Sequence, residues 1–365
     1  MTIYKETESK FNEFFWTCEE KLRSDLNINF DELQKNGNLD NMREYSKKLS
    51  MISEKYRHSL RTVKSIKKLA NEMNMSVNFV EIFKIVALLH DLGRFNQALS
   101  NSSFLDIYNN HSEIGAEMLK NGGFDYFLID ENIRPLLYDC IKKHNDITNT
   151  REYQFHMDSN FVYCDPLKVL TGSYTFNEFE KKIISVTLQL LRDVDKVDHL
   201  IERKKGEVAP YETNMKVKNM GLEKTAQYWG VRKSDIKDVN STCDLCKNLY
   251  INIPRNRIPI EKLVIPEDIK TRIFNLEKID LNAIKSRDDY NFIMALVTEI
   301  YSILSNLNFL ANYKLLKEYH VLDDIYLLYL PAYRSIIKEY IDFYNEYIES
   351  LANDTKNGLY LKKLS

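Results

Sequence analysis

A chain of 365 residues with 44% hydrophobic and 28% charged side chains has ample apolar surface for a packed core. Wholesale disorder is therefore excluded, and the length fits one large domain or two modest ones. Its 51 basic against 53 acidic residues argue against a nucleic-acid coat protein, which would carry a strongly basic surface. Five cysteines make no disulfide framework, and the first residues lack the apolar run of a signal peptide. The longest low-charge stretch, Tyr290–Tyr313, contains Glu299 together with Asn291, Asn306, Asn308 and Asn312, all costly in hydrocarbon. The expectation is a protein of a reducing cytoplasm with no membrane span.

With only 10 Gly and 7 Pro, and apolar residues spaced near 3.6, the chain reads as all-α. In chain order, the pattern predicts a helix around Glu6–Leu22, a polar connection at Gln34–Asn38, more helix, and then a helix around Glu54–Met73. The next helix has Ser76 as its N-cap, runs to His90-Asp91 and takes Gly93 as a stop. Further helices are predicted from Asn110 to Gly122-Gly123, over Ile133–His144, and over Asn177–Ile201 after a loop containing Asp165-Pro166. Residues 203–266 read as irregular with short elements, and helices resume near Glu267. The organisation is an N-terminal helical extension at 1–50, a helical core at 51–202, and a mostly helical C-terminal region at 203–365.

Seven histidines are few, and their placement is informative. Phe79, Ile82, Phe83 and Val86 form one helical face, and one further turn of it lands on His90, with Asp91 next. An ionised carboxylate at the end of a buried helix is costly unless it is paired, hydrogen-bonded or bound to a metal. His111 leads a stripe of Ile114, Gly115 and Met118. His144 closes one of Ile133, Leu137, Cys140 and Ile141. Ile184, Leu188 and Leu191 extend to Asp195, with Asp198 also inside that apolar arc. Any one such histidine is more often a core residue satisfied by a carbonyl. Four helices that each direct a His or Asp inward are harder to explain that way, and imidazoles with carboxylates are the usual ligands of first-row transition metals. His58 lies off the Val63–Ile66–Ala70 stripe of its helix, so periodicity does not place it.

The order His58, His90-Asp91, His111, His144, Asp195 resembles the HD superfamily of metal-dependent phosphohydrolases. The strongest local matches are Ala87-Leu88-Leu89-His90-Asp91-Leu92-Gly93-Arg94-Phe95 and Leu191-Arg192-Asp193-Val194-Asp195-Lys196-Val197-Asp198. The second is similar to the Arg-Asp-Ala-Asp-Lys-Leu-Asp run of a bacterial subgroup, whose middle segments are matched by His111-Ser112-Glu113-Ile114-Gly115 and Ile141-Lys142-Lys143-His144-Asn145. The resemblance covers about 55–200. It implies a helical core holding two divalent transition-metal ions (Mn, Fe, Co or Ni): one held by His58, His90, Asp91 and Asp195, the other bridged by Asp91 and held by His111 and His144. The Asp-x-Asp-Lys match favours Asp195 over Asp198.

The implied chemistry is hydrolysis of a phosphomonoester or phosphodiester, in first place a nucleotide, by a hydroxide that two cations activate. Asp91, Arg94 and Lys196 are the expected catalytic residues. Arg94 is placed to contact a phosphate bidentately, and Arg61, Lys143 and Asn145 are further candidate substrate contacts. For Lys143, Lys196 and Arg61 the alternative is a solvated helix surface. The helices outside the core would roof the site, and the C-terminal ones serve as a lid or as a homodimer surface. Two other readings are a nucleotide-sensing module with little turnover and a dinuclear iron oxygenase of the same fold. Cys243 and Cys246 have the spacing of half a zinc site but no second pair nearby.

Overall fold

The computed structural model describes residues 2–28, 39–101, 110–144, 165–204, 307 and 309–324, together with residues 271, 335, 338–339, 341–346 and 349. Among the described residues the regular structure is helical, without a strand, in agreement with the all-α expectation. None of their helices is long and apolar enough to cross a membrane. Asn145, Cys243, Cys246, the connection at Gln34–Asn38 and most of 203–306 lie outside the described residues.

The main helices among the described residues are α1 (Ile3–Asp25), α2 (Leu39–Glu72), α3 (Val77–Leu89), α4 (Leu92–Asn101), α5 (His111–Met118), α6 (Arg134–Lys143), α7 (Glu178–Lys204), α8 (Leu310–Glu318) and α9 (Val321–Asp324). They divide into two compact units between Arg192 and Asp193.

In the first unit α3 is the central element. Ser76 caps it by accepting the Phe79 N–H at 3.1 Å. Phe79, Ile82 and Phe83 are buried, and from Ile85 to Leu89 every residue is buried. Such all-round burial marks a helix enclosed by others, and α1, α2 and α6 pack on it. Each of its large side chains contributes about 1.5–3 kcal/mol by leaving water.

Helix α2 is one continuous element of 34 residues. Its buried positions Ile52, Lys55, Ser59, Thr62, Ile66 and Leu69 alternate steps of three and four, the stripe of a packed helix face. Two of the predicted ends shift. Gly93 is not a stop: α3 ends at Leu89, two residues turn, and Gly93 lies inside the first turn of α4. Helix α5 ends at Met118 and passes through a wide turn, Leu119–Gly123, where Gly122 takes φ +103°, a conformation that L side chains avoid.

In the second unit the buried carboxylate of Asp193 accepts the Phe309 N–H at 3.0 Å and the Asn312 side-chain amide at 3.1 Å. It thereby fixes the start of α8. Leu310, Tyr313, Leu316, Val321 and Tyr344 are buried there, and the rings of Tyr313 and Tyr344 meet edge to face at 5.9 Å.

Candidate metal centre

Five side chains from four helices and one turn of the first unit converge. His58 comes from α2, His90 follows the last residue of α3, Asp91 occupies the turn into α4, His111 opens α5, and His144 follows the last residue of α6. All five are buried, His90 completely.

His90 and His144 are held by the same local device. Each stands at the C-cap of its helix, where the last carbonyls lack partners. His90 Nδ1 lies 2.7 Å from the Ala87 carbonyl, and His144 Nδ1 lies 2.7 Å from the Ile141 carbonyl. A carbonyl can only accept, so each Nδ1 carries a hydrogen and each ring turns its Nε2 toward the cluster. His111 is fixed differently: Asn110 caps α5, accepting the Ser112 N–H at 3.1 Å and the Ser112 hydroxyl at 2.7 Å.

The ring nitrogens form two pairs. His58 Nε2 and His90 Nε2 are 3.3 Å apart; His111 Nε2 and His144 Nε2 are 3.0 Å apart. Asp91 stands between them with its oxygens divided. Oδ2 lies 3.7 Å from His58 Nε2 and 3.6 Å from His90 Nε2, while Oδ1 lies 3.3 Å from His111 Nε2 and 3.9 Å from His144 Nε2. Nitrogens about 3 Å apart have the separation of adjacent ligands on one ion bound at about 2.0–2.1 Å. Two groups, His58–His90–Asp91 and Asp91–His111–His144, have ligand atoms mutually within 4.8 Å. The donor set therefore suits divalent metal ions, with Asp91 common to both groups.

The electrostatics agree with that chemistry. Burial alone would push the Asp91 carboxyl up; the Lys55 ammonium, then His90, His111 and Arg94, override it and hold the group well below the usual carboxylate range. Burial, with His111 and His90 as neighbours, pushes the His144 imidazole down to about 3, so it stays neutral and able to ligate.

Lys55 was not among the sequence candidates. One turn before His58 on α2, it is 7% exposed, and its Nζ donates to Asp91 Oδ2 at 3.0 Å. A lysine on the buried face of α2 is the signal that points to it, because lysines are rarely buried without a partner. Arg192, within the Leu191–Asp198 run, is a second residue that spacing does not single out. Its guanidinium donates to the Lys143 carbonyl at 2.8 Å and the His144 carbonyl at 3.1 Å, tying down the end of α6.

Of the other sequence candidates, Arg94 stands beside the cluster, with Nε 3.8 Å from Asp91 Oδ1 and a 2.9 Å hydrogen bond to the buried Gln97. Arg61 is half-buried on α2, one turn beyond His58. Lys143 is half-buried and pairs with Asp139 on its own helix at 3.1 Å. Asp195 and Lys196 lie in the second unit. Both are half-buried, and Asp195 approaches His199 one turn on at 3.6 Å. Asp198 is buried more deeply, at 2% exposed.

The model of one protein family, described as the HD domain, matches residues 56–200. No curated protein and no solved structure matches the chain.

Proposed function

The chain belongs to the HD superfamily through the domain at residues 56–200, and from that premise we propose that it is a dinuclear metal-dependent phosphohydrolase acting on a small phosphomonoester or phosphodiester, in first place a nucleotide. The observation that carries this reading is the divided carboxylate. Asp91 turns Oδ2 toward the His58–His90 pair and Oδ1 toward the His111–His144 pair, the arrangement a bridging ligand requires.

In this reading His58, His90 and Asp91 hold one cation, and Asp91, His111 and His144 hold the second. The family pattern brings Asp195 into the first set. Two adjacent cations, when bound, lower the pKa of a shared water and neutralise the charge that develops on a transferring phosphoryl group.

The chain's own residues supply the rest. The Ala87 and Ile141 carbonyls keep the Nδ1 hydrogens of His90 and His144, so both rings remain donors of their Nε2 lone pairs. Arg94, steadied by Gln97, offers a planar fork to a phosphoryl oxygen pair. Lys196, Arg61, Lys143 and Asn145 are assigned to the charge and orientation of the remaining substrate. The near-equal numbers of acidic and basic residues favour a small substrate over nucleic acid.

The test begins with metal content, measured by plasma mass spectrometry on protein purified without chelator, for the parent and for Asp91→Ala. About two transition-metal ions per chain, lost in the variant, support the reading. A panel of phosphomonoesters, phosphodiesters and nucleotides with Mn, Fe, Co and Ni then defines the substrate. A parent that holds no metal and takes up none on titration would overturn it.

A further inference from the structure

The lysine at position 55 has no part in the ligand set, yet it reaches the same oxygen that faces one imidazole pair. Asp91 Oδ2 lies 3.0 Å from Lys55 Nζ, 3.6 Å from His90 Nε2 and 3.7 Å from His58 Nε2. Lys55 and His58 are one turn apart on α2, so the ammonium approaches Oδ2 from the side on which His58 stands. Both members of the ion pair are buried, with side chains 8% and 5% exposed. A buried carboxylate needs cationic partners, which Lys55 supplies at 3.0 Å on Oδ2 and Arg94 at 3.8 Å on Oδ1, and a buried ammonium needs an anion.

A divalent cation seated between His58, His90 and Asp91 would need the oxygen that Lys55 now occupies, and it would stand within a few ångströms of the ammonium. Like charges at such separations in a buried site repel strongly. The four-carbon stem of lysine lets Nζ swing away without moving the backbone, a freedom that a rigid guanidinium fork offers less readily.

We infer that Lys55 is the resident counter-ion of this centre: it pairs with Asp91 Oδ2, competes for that oxygen with the cation that His58 and His90 would bind, and so sets how tightly that cation is held. The ligand set by itself would favour maximal affinity. Residue 55 lowers it in return for a folded, charge-balanced metal-free protein. The inference rests on the proposed cation binding and adds a determinant of affinity that lies one residue before the matched domain segment.

The probe is Mn2+ alone. Metal-free parent, Lys55→Met and Lys55→Arg are titrated by calorimetry, and their unfolding without metal is followed by circular dichroism. Lys55→Met is expected to unfold several degrees lower when metal-free and to bind its tighter Mn2+ about tenfold more strongly or better. Lys55→Arg keeps the charge and should hold the ion no more tightly than the parent. Should Lys55→Met fail to fold without metal, it is purified with Mn2+, and competition with a chelator reads the same affinity from the loaded side. A Lys55→Met protein that holds Mn2+ no more tightly than a normally binding parent overturns the inference and leaves the metal centre standing. A parent that takes up no Mn2+ overturns both.

Discussion

The backbone of Gly93 lies directly against the carbonyl of His111: a β-carbon built on Gly93 would fall 2.0 Å from that oxygen and 2.8 Å from the Gly115 nitrogen. Helices α4 and α5 therefore meet backbone to backbone. That contact lets Asp91, two residues before Gly93, come within 3.3 Å of His111 Nε2. Since the obstructing atom is main chain, it cannot rotate out of the way. Gly93→Ala is expected to cost about 3 kcal/mol or more, beyond the usual overpacking penalty, and to lower metal content at the His111–His144 pair. Gly115→Ala, whose β-carbon would stand 3.1 Å from Gly93 N, should be milder. Thermal unfolding and metal analysis of both variants check this ordering, and equal stability for Gly93→Ala and parent would contradict it.

In the proposed centre of two ions, the divided carboxylate makes the seats separable. His111→Ala removes a donor from one pair only, so the protein should retain about one ion per chain; Asp91→Asn weakens both and should retain close to none after dialysis. Loss of a ligand commonly weakens a site by at least the 10–100-fold seen when a supporting residue is removed. Mn2+ counted by plasma mass spectrometry, with far-ultraviolet circular dichroism as a control for helix content, distinguishes the outcomes. Identical losses in the two variants would mean that the seats fill only together.

A pH dependence is built in at the start of α7. Asn177 Oδ1 accepts the N–H groups of Phe179 and Glu180 at 2.9 Å, and Glu180 Oε2 accepts the Asn177 N–H at 2.9 Å, a reciprocal capping box. Glu180 Oε1 also accepts the N–H and hydroxyl of Thr171. Burial would raise this carboxyl, but the N–H groups of Asn177 and Thr171 and the Thr171 hydroxyl lower it below its ordinary value of 4.5. With the folded value below the unfolded one, the stabilisation is complete above the unfolded pKa and is lost as pH falls through the folded pKa. Glu180→Gln should be about 1 kcal/mol less stable at neutral pH. It should also lose less further stability than the parent between about pH 5 and about pH 3. Urea unfolding at three pH values in that range supplies the comparison.

Arg192 closes the end of α6 with two charged hydrogen bonds to main-chain carbonyls. Bonds of this kind are worth about 1.5–3 kcal/mol each. Arg192→Ala should lower thermal stability by at least that much and weaken Mn2+ at the pair containing His144. Arg192→Lys should recover little, because one ammonium cannot reproduce a fork that spans two carbonyls. Full rescue by lysine would show that charge alone matters at this position.

Much of this was readable from residue spacing. The cap at Ser76, the helix start near Asn110 and the inward placement of His90 and His144 all follow from where apolar stripes begin and end. His58 was harder to place because its face of α2 carries Lys55, Ser59 and Thr62, polar residues that interrupt an apolar pattern while remaining buried. The first turns of α2 were read apart from the rest because Leu39–Ser50 is strongly polar, although the helix is continuous. Gly93 shows another limit: spacing can mark a glycine, but whether it ends a helix or admits a neighbour depends on where the His111 carbonyl arrives in three dimensions.

The paired device at His90 and His144 also fixes where this domain can change length. Each imidazole is aimed by the final turn of its own helix, through a bond to the carbonyl three residues back. One residue inserted into α3 or α6 would turn the terminal ring by about 100° and advance it about 1.5 Å, carrying its nitrogen out of the cluster. Apart from the turn that carries Asp91, connections between helices need keep no such phase. Insertions and deletions that keep the centre intact therefore belong between helices other than α3 and α4, whose two-residue turn carries Asp91, while within α3 and α6 the count of residues is as binding as their identity.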